Sequence, residues 1–217
     1  MPISTIADYL GFRVLWSPYF FIVLMLILVG YFLITMKFRT RFVSSEKLTK
    51  RQATFFTLGI VLLYMIEGSQ LPKIGYFYFH ETYYIQKACL YLVIPPFLII
   101  GIPQWIWRAI INNPAFKLIF NIFMKPLIAL ILFNIFFIFS YLTNIPYYGS
   151  YYIELLYNGF VFILAVFMWW PLVNQLPEQR KLSRLKKVGY IFLGIVIAFI
   201  TLMFMVSLFL LSSSIRY

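Results

Sequence analysis

The feature that most constrains this chain is an uncharged run of 20 residues, Ser17 to Met36, followed at once by Lys37, Arg39, Arg41, Lys47, Lys50 and Arg51. Wound as a helix, such a run reaches roughly 30 Å, the thickness of a bilayer's hydrocarbon core. An apolar cylinder of that length gains nothing from water and fits lipid. Ahead of it Arg13 is the single positive side chain, against six behind it. Positive charge collects on the cytoplasmic side of spans, so the N-terminus is placed outside and the run ends in the cytoplasm. The run is too long for a signal-peptide core, and no small-residue cleavage site follows it.

The pattern repeats along the chain. A second run spans Ala53 to about Leu71, with Glu67 near its outer end, and a short outer loop (Pro72, Lys73, Gly75) follows. A third run, about Tyr83 to Ile102, carries Lys87 early and Pro95-Pro96 in its second half. Two adjacent prolines remove backbone donors and crowd the preceding turn, so a kink is expected there. From Pro103 to Lys125, Trp105, Trp107, Phe116, Phe120 and Phe123 are interleaved with Arg108, Lys117 and Lys125. That mixture predicts an amphipathic segment on the inner leaflet rather than a span.

Pro126 stands where a helix start tolerates proline, opening a fourth run to about Leu142. A Tyr-rich outer loop (Tyr147, Tyr148, Tyr151, Tyr152) leads to a fifth run, about Ile153 to Trp170. Trp169-Trp170-Pro171 reads as an inner aromatic belt and a stop. Arg180, Lys181, Arg184, Lys186 and Lys187 then precede a sixth run, Val188 to about Leu211.

Charge supports this order. Of 18 Lys and Arg, 14 fall in the three loops placed inside, while Asp8, Glu67, Glu81 and Glu154 map to the outer half. The net charge of +12 is therefore a topology signal rather than a nucleic-acid footprint. With 63% hydrophobic and only 11% charged residues, the chain cannot dress a soluble surface, which takes roughly a quarter charged. The expected fold is all-α: a polytopic membrane helix bundle of about six transmembrane helices, forming one integral membrane domain over residues 1–217.

Chemistry-bearing residues are few. Glu67, Lys87 and Glu154 lie near outer helix ends, where each side chain can reach water or pair with another; an outward-facing polar pocket is the second account. Asn134, Asn144 and Asn158 are polar residues in or near helices, and hydrogen bonding between helices is their simplest use. His80 is the one histidine and Cys89 the one cysteine. His80 with Glu81 is the candidate metal pair and copper the candidate ion, but a tight site would need ligands from several helices. No nucleophile–base set or Gly-rich phosphate loop is present, so an enzyme is not expected.

Four blocks carry a resemblance. GFRVLWSPYFF (Gly11 to Phe21), LGIVLLYMIEGS (Leu58 to Ser69), YLVIPPFLIIGIPQWIW (Tyr91 to Trp107), and PLIALILFN (Pro126 to Asn134) with MWWP (Met168 to Pro171) and LSRLKKVGYIF stand in the order of the polytopic CtaG family. These are bacterial cytochrome c oxidase assembly factors, and the chain resembles them along nearly its whole length. The resemblance implies a multi-pass protein of the bacterial plasma membrane that assists maturation of a haem-copper oxidase, with oxidase subunits or other assembly factors as partners. Family members carry one more helix than the six read here. They also carry outer-side histidines where this chain has Asn144, Tyr157-Asn158 and approximately Tyr83, with His80 a turn away. The resemblance therefore implies the assembly role without a complete copper site. A different reading of the outer polar residues is a small transporter or permeation subunit.

Overall fold

The computed structural model describes residues 16–41, 45–68, 80–143, 151–174, 176–179 and 181–214, and every regular element among them is helical. The chain divides into two compact units, Met1–Lys117 and Leu118–Tyr217.

In the first unit, α1 (Pro18–Phe32) starts on proline and continues through a wider turn, Leu33–Lys37. There the Phe38 amide donates five residues back to the Leu33 carbonyl at 2.9 Å. The Thr35 hydroxyl donates to the Tyr31 carbonyl at 2.7 Å, competing locally with the helical ladder. Helix α2 (Lys50–Leu63) begins upstream of the apolar run, because Thr49 and Gln52 form a capping box. The Thr49 hydroxyl accepts from the Gln52 amide at 3.2 Å, and the Gln52 side chain accepts from the Thr49 amide at 3.0 Å. A second wide turn, Tyr64–Gly68, extends α2. Helices α3 (His80–Gly101) and α4 (Gln104–Ile111) complete this unit, and α5 (Pro114–Phe123) runs across the division.

Leu24, Tyr31, Phe56 and Ile60 form the buried core of α1 and α2, with the Tyr31 and Phe56 rings stacked at 3.8 Å between centroids. Glycine lets α2 and α3 approach closely. A Cβ on Gly101 would lie 2.5 Å from the Phe56 amide nitrogen, and one on Gly59 would lie 2.9 Å from Leu98 Cδ2.

The kink expected at Pro95-Pro96 is not a break: α3 runs unbroken through both prolines to Gly101. Tyr91, Ile94 and Pro95 are fully or almost fully buried, so packing holds the stretch where backbone bonds are missing. The sharp bend comes later, 103° between Ile85–Gly101 and Gln104–Ile111. Pro103 causes it. With no amide hydrogen, it cannot satisfy the Ile99 carbonyl four residues back. The Trp107 indole does so instead, at 3.2 Å, and the Tyr31 hydroxyl donates to the Gly101 carbonyl at 2.8 Å.

The second unit is built on α6 (Pro126–Thr143), α7 (Tyr151–Val173) and α8 (Arg184–Ser214). Ala129, Leu130 and Phe133 of α6 are buried, as are Val161, Leu164, Ala165, Phe167 and Met168 of α7. Two tyrosines tie the helices through their hydroxyls: Tyr157 donates to the Phe136 carbonyl, and Tyr190 to the Met168 carbonyl at 2.8 Å. Asn134 is buried but donates to the Leu130 carbonyl of its own helix at 2.8 Å rather than to a neighbouring helix. One turn back is the nearest acceptor, and it satisfies the amide without help from another helix.

Pro171 does not stop α7, which continues to Val173; a proline in the last turn removes one bond of a ladder already ending. Arg184, Lys186 and Lys187 lie within the first turn of α8 rather than ahead of it. Lys187 Nζ donates to the Leu172 carbonyl at 2.7 Å, placing a cation on the negative end of α7.

Among the described residues, two helices are long and apolar enough to cross a membrane, Pro18–Lys37 and Tyr152–Val173, or three if the bent pair counts as one span. Pro126–Ser140 is a shorter apolar helix. Helix α1 exposes Phe21, Ile22, Val23, Leu26 and Ile27, and α8 exposes Ile191, Phe192, Ile195 and Phe199. Contiguous apolar faces of this extent suit lipid and not water.

Candidate functional site

The most polar buried feature of the first unit lies where α2 ends against α3. Lys87 Nζ is 2.7 Å from Glu67 Oε1, with the lysine side chain 7% and the glutamate 24% exposed. Beside it, Gln86 Nε2 donates to the Ile66 carbonyl at 2.8 Å. Ile66 belongs to the wide turn that extends α2. One helix thus supplies two successive side chains that fasten another: the amide of Gln86 binds a carbonyl and the ammonium of Lys87 a carboxylate.

Local sequence explains the convergence. Gly68 closes the turn against the Tyr64 ring, and Phe20 Cδ1 lies 3.0 Å from where a Cβ would be. A larger residue there would displace Tyr64 and, with it, the turn that presents Glu67. The pair neutralises two charges that would each cost about 2.5 kcal/mol or more alone at mid-bilayer. Its chemistry is electrostatic: an ammonium is held against a carboxylate.

The other polar residues fall elsewhere. Glu154 and Asn158 lie one turn apart on α7, in the second unit, with Asn158 Nδ2 3.4 Å from Glu154 Oε1. Asn144 lies outside the described residues, as do the side chains of His80 and Glu81 at the start of α3. Cys89 is exposed. Among the described residues, no group of three or more His, Cys, Asp or Glu comes together. Tyr157 spends its hydroxyl on the Phe136 carbonyl and so ties α7 to α6.

A polar network in the second unit was not anticipated from the sequence. Gln179 Oε1 accepts from the Trp170 indole at 2.6 Å and from Asn174 Nδ2 at 3.2 Å, while Gln179 Nε2 donates to Met124 Sδ at 3.2 Å. Leu176, 3% exposed, is buried beneath it. The loop after α7 is therefore fastened down. Its signal in the sequence is the amide-rich stretch after the tryptophan pair, Asn174 to Gln179, which offers partners for an indole.

No curated protein and no solved structure shows significant similarity to the chain. A family model does match, over residues 29–214. That range takes in all of α2 to α8 and the Glu67–Lys87 pair. The chain belongs to the cytochrome c oxidase caa3 assembly factor family, Caa3_CtaG.

Proposed function

We propose that this protein is a multi-pass plasma-membrane factor that assists maturation of a haem-copper oxidase and has no complete copper site of its own. The observation that carries the reading is the family match over residues 29–214. The membership gives the class of process, and the residues give the manner. With Asn144, Tyr157 and Asn158 where imidazoles would be the better copper ligands, the protein works by holding partners rather than by handing over a metal.

In this reading, residues 1–217 form one membrane domain of six spans with the N-terminus outside. The placement of 14 of 18 basic residues in three alternate loops supports that topology. Glu67, Lys87 and Glu154 then share the outer side, where oxidase subunits or other assembly factors would be met.

Deletion of the gene tests the role. The expected outcome is a fall in terminal-oxidase activity and loss of haem-copper absorbance in membranes, restored by the intact gene. Normal activity and normal haem spectra in the deletion strain would sink the reading. Metal analysis of the purified protein is the companion measurement, and stoichiometric copper would overturn the part concerning the copper site.

A further inference from the structure

We propose that α4 and the first half of α5 form an in-plane anchor that selects anionic phospholipid headgroups. The inference rests on the multi-pass membrane reading above and adds to it a lipid class and a binding segment. The bend of 103° between Ile85–Gly101 and Gln104–Ile111 carries the geometry. A helix that leaves a span at nearly a right angle runs along the membrane surface.

The bend is a fixed element. The Trp107 indole on the Ile99 carbonyl and the Tyr31 hydroxyl on the Gly101 carbonyl hold both sides of it. Trp105 is buried, so α4 has one face committed to the protein. A turn at Asn112-Asn113 follows. Asn113 Oδ1 accepts from the Ala115 amide, and the Asn113 carbonyl accepts from the Phe116 and Lys117 amides, all at 3.0 Å.

From Asn112 to Lys117 every residue is exposed. Phe116 is 47% exposed, yet at helical spacing it shares a face with Phe120 and Phe123, whose rings pack on Phe167 at 5.2 and 5.4 Å. The apolar face of α5 is thus covered by protein in its second half and left open at Phe116. Lys117, the next residue, stands about 100° further round the helix. Lys117 is thus next to an open aromatic ring and Arg108 lies upstream on α4, the composition of an interfacial anchor.

Charge complementarity names the occupant. No Asp or Glu occurs between Glu81 and Glu154, so the segment is net positive through Lys117 and Arg108, which also donates to Gln104 Oε1 at 3.4 Å. At the surface of a bilayer, the complementary charge is an anionic headgroup, and each basic side chain near it raises binding about fivefold.

The test uses the full chain in nanodiscs of phosphatidylcholine with phosphatidylglycerol. A Cys89→Ser background carries a nitroxide either at Phe116→Cys or, as a control within α1, at Leu26→Cys. Power saturation should place the Leu26 label in hydrocarbon and the Phe116 label about 5–10 Å below the phosphates. Native mass spectrometry with equal amounts of the two lipids should show phosphatidylglycerol retained over phosphatidylcholine. Arg108→Gln and Lys117→Gln should each lower that retention about fivefold without changing phosphatidylcholine binding. A Phe116 label open to a water-soluble nickel reagent, or a double Gln variant that keeps its phosphatidylglycerol, would overturn the proposal while the Leu26 label stays in lipid. A water-exposed Leu26 label would instead remove the membrane reading on which it stands.

Discussion

Replacing Gly101 by alanine tests the packing on which the first unit depends. The added Cβ would lie 2.5 Å from the Phe56 nitrogen, 2.7 Å from its Cα and 2.8 Å from its Cβ. Favourable contact needs about 3.5 Å, so α2 and α3 must part by roughly 1 Å. Backbone, unlike a flexible side-chain tip, cannot swing aside, which puts the overpacking cost near the upper end of the usual range, about 3 kcal/mol. The same movement would stretch the 2.8 Å bond from Tyr31 to the Gly101 carbonyl beyond hydrogen-bonding range. Losing that bond adds about 1 kcal/mol, and alanine's better helix propensity returns at most about 1 kcal/mol.

The expected net loss is about 3 kcal/mol, or a fall in Tm of about 6–12 °C for a chain of this size. Thermal unfolding in detergent, followed by tryptophan fluorescence and circular dichroism, reads it directly. Gly189→Ala is the control, because a Cβ there meets nothing within 4 Å. It gains propensity without collision and should match or slightly exceed the parent protein. Equal stability of the two alanine variants would refute the close α2–α3 approach.

Four further outcomes follow from single contacts. Tyr31→Phe keeps the ring on Phe56 but leaves the Gly101 carbonyl without its donor, and should cost about 1–3 kcal/mol by the same melting assay. Thr49→Ala removes the capping box of α2 and should cost about 1 kcal/mol, with faster hydrogen exchange confined to the first turn after Lys50. Gln179→Ala releases the Trp170 indole and Asn174, so limited trypsin digestion at Lys181 and Arg184 should quicken while Tm changes little. Charge reversal tests the ion pair: Glu67→Lys and Lys87→Glu should each destabilise, and the double exchange should recover a large part of the loss. Failure to recover would mean that the two side chains act independently.

Length and periodicity made the helices legible, because an uncharged run of 20 residues such as Ser17–Met36 has few alternatives. Their ends were less so. Helix α2 starts at Lys50 because Thr49 and Gln52 cap it, a polar signal that apolar counting overlooks. Helix α3 continues through Pro95-Pro96, where two donors are lost, and the bend of 103° lies at Pro103, where one is. Ile94, Pro95 and Pro103 are all buried, and Pro103 stands where α3 gives way to the amphipathic helix α4.

The candidate site divides in the same way. That Lys87 needs an acid follows from its place in an apolar run, but two acids, Glu67 and Glu154, were open to it on the sequence. Choosing between them depends on the turn at Tyr64–Gly68, which extends α2 and presents Glu67 to α3 at 2.7 Å. A turn one residue wider than an α-turn shifts every following side chain by about 100°, and no pattern of hydrophobicity foretells it. The pairing therefore couples two properties that look separate in the sequence, the glycine at 68 and the lysine at 87. A substitution at Gly68 that disturbs Tyr64 should weaken the ion pair without touching either charge, and Gly68→Ala should mimic part of the effect of Glu67→Lys on stability. If Gly68→Ala leaves Tm unchanged, the turn is not what positions Glu67, and the ion pair must be held from the α3 side alone.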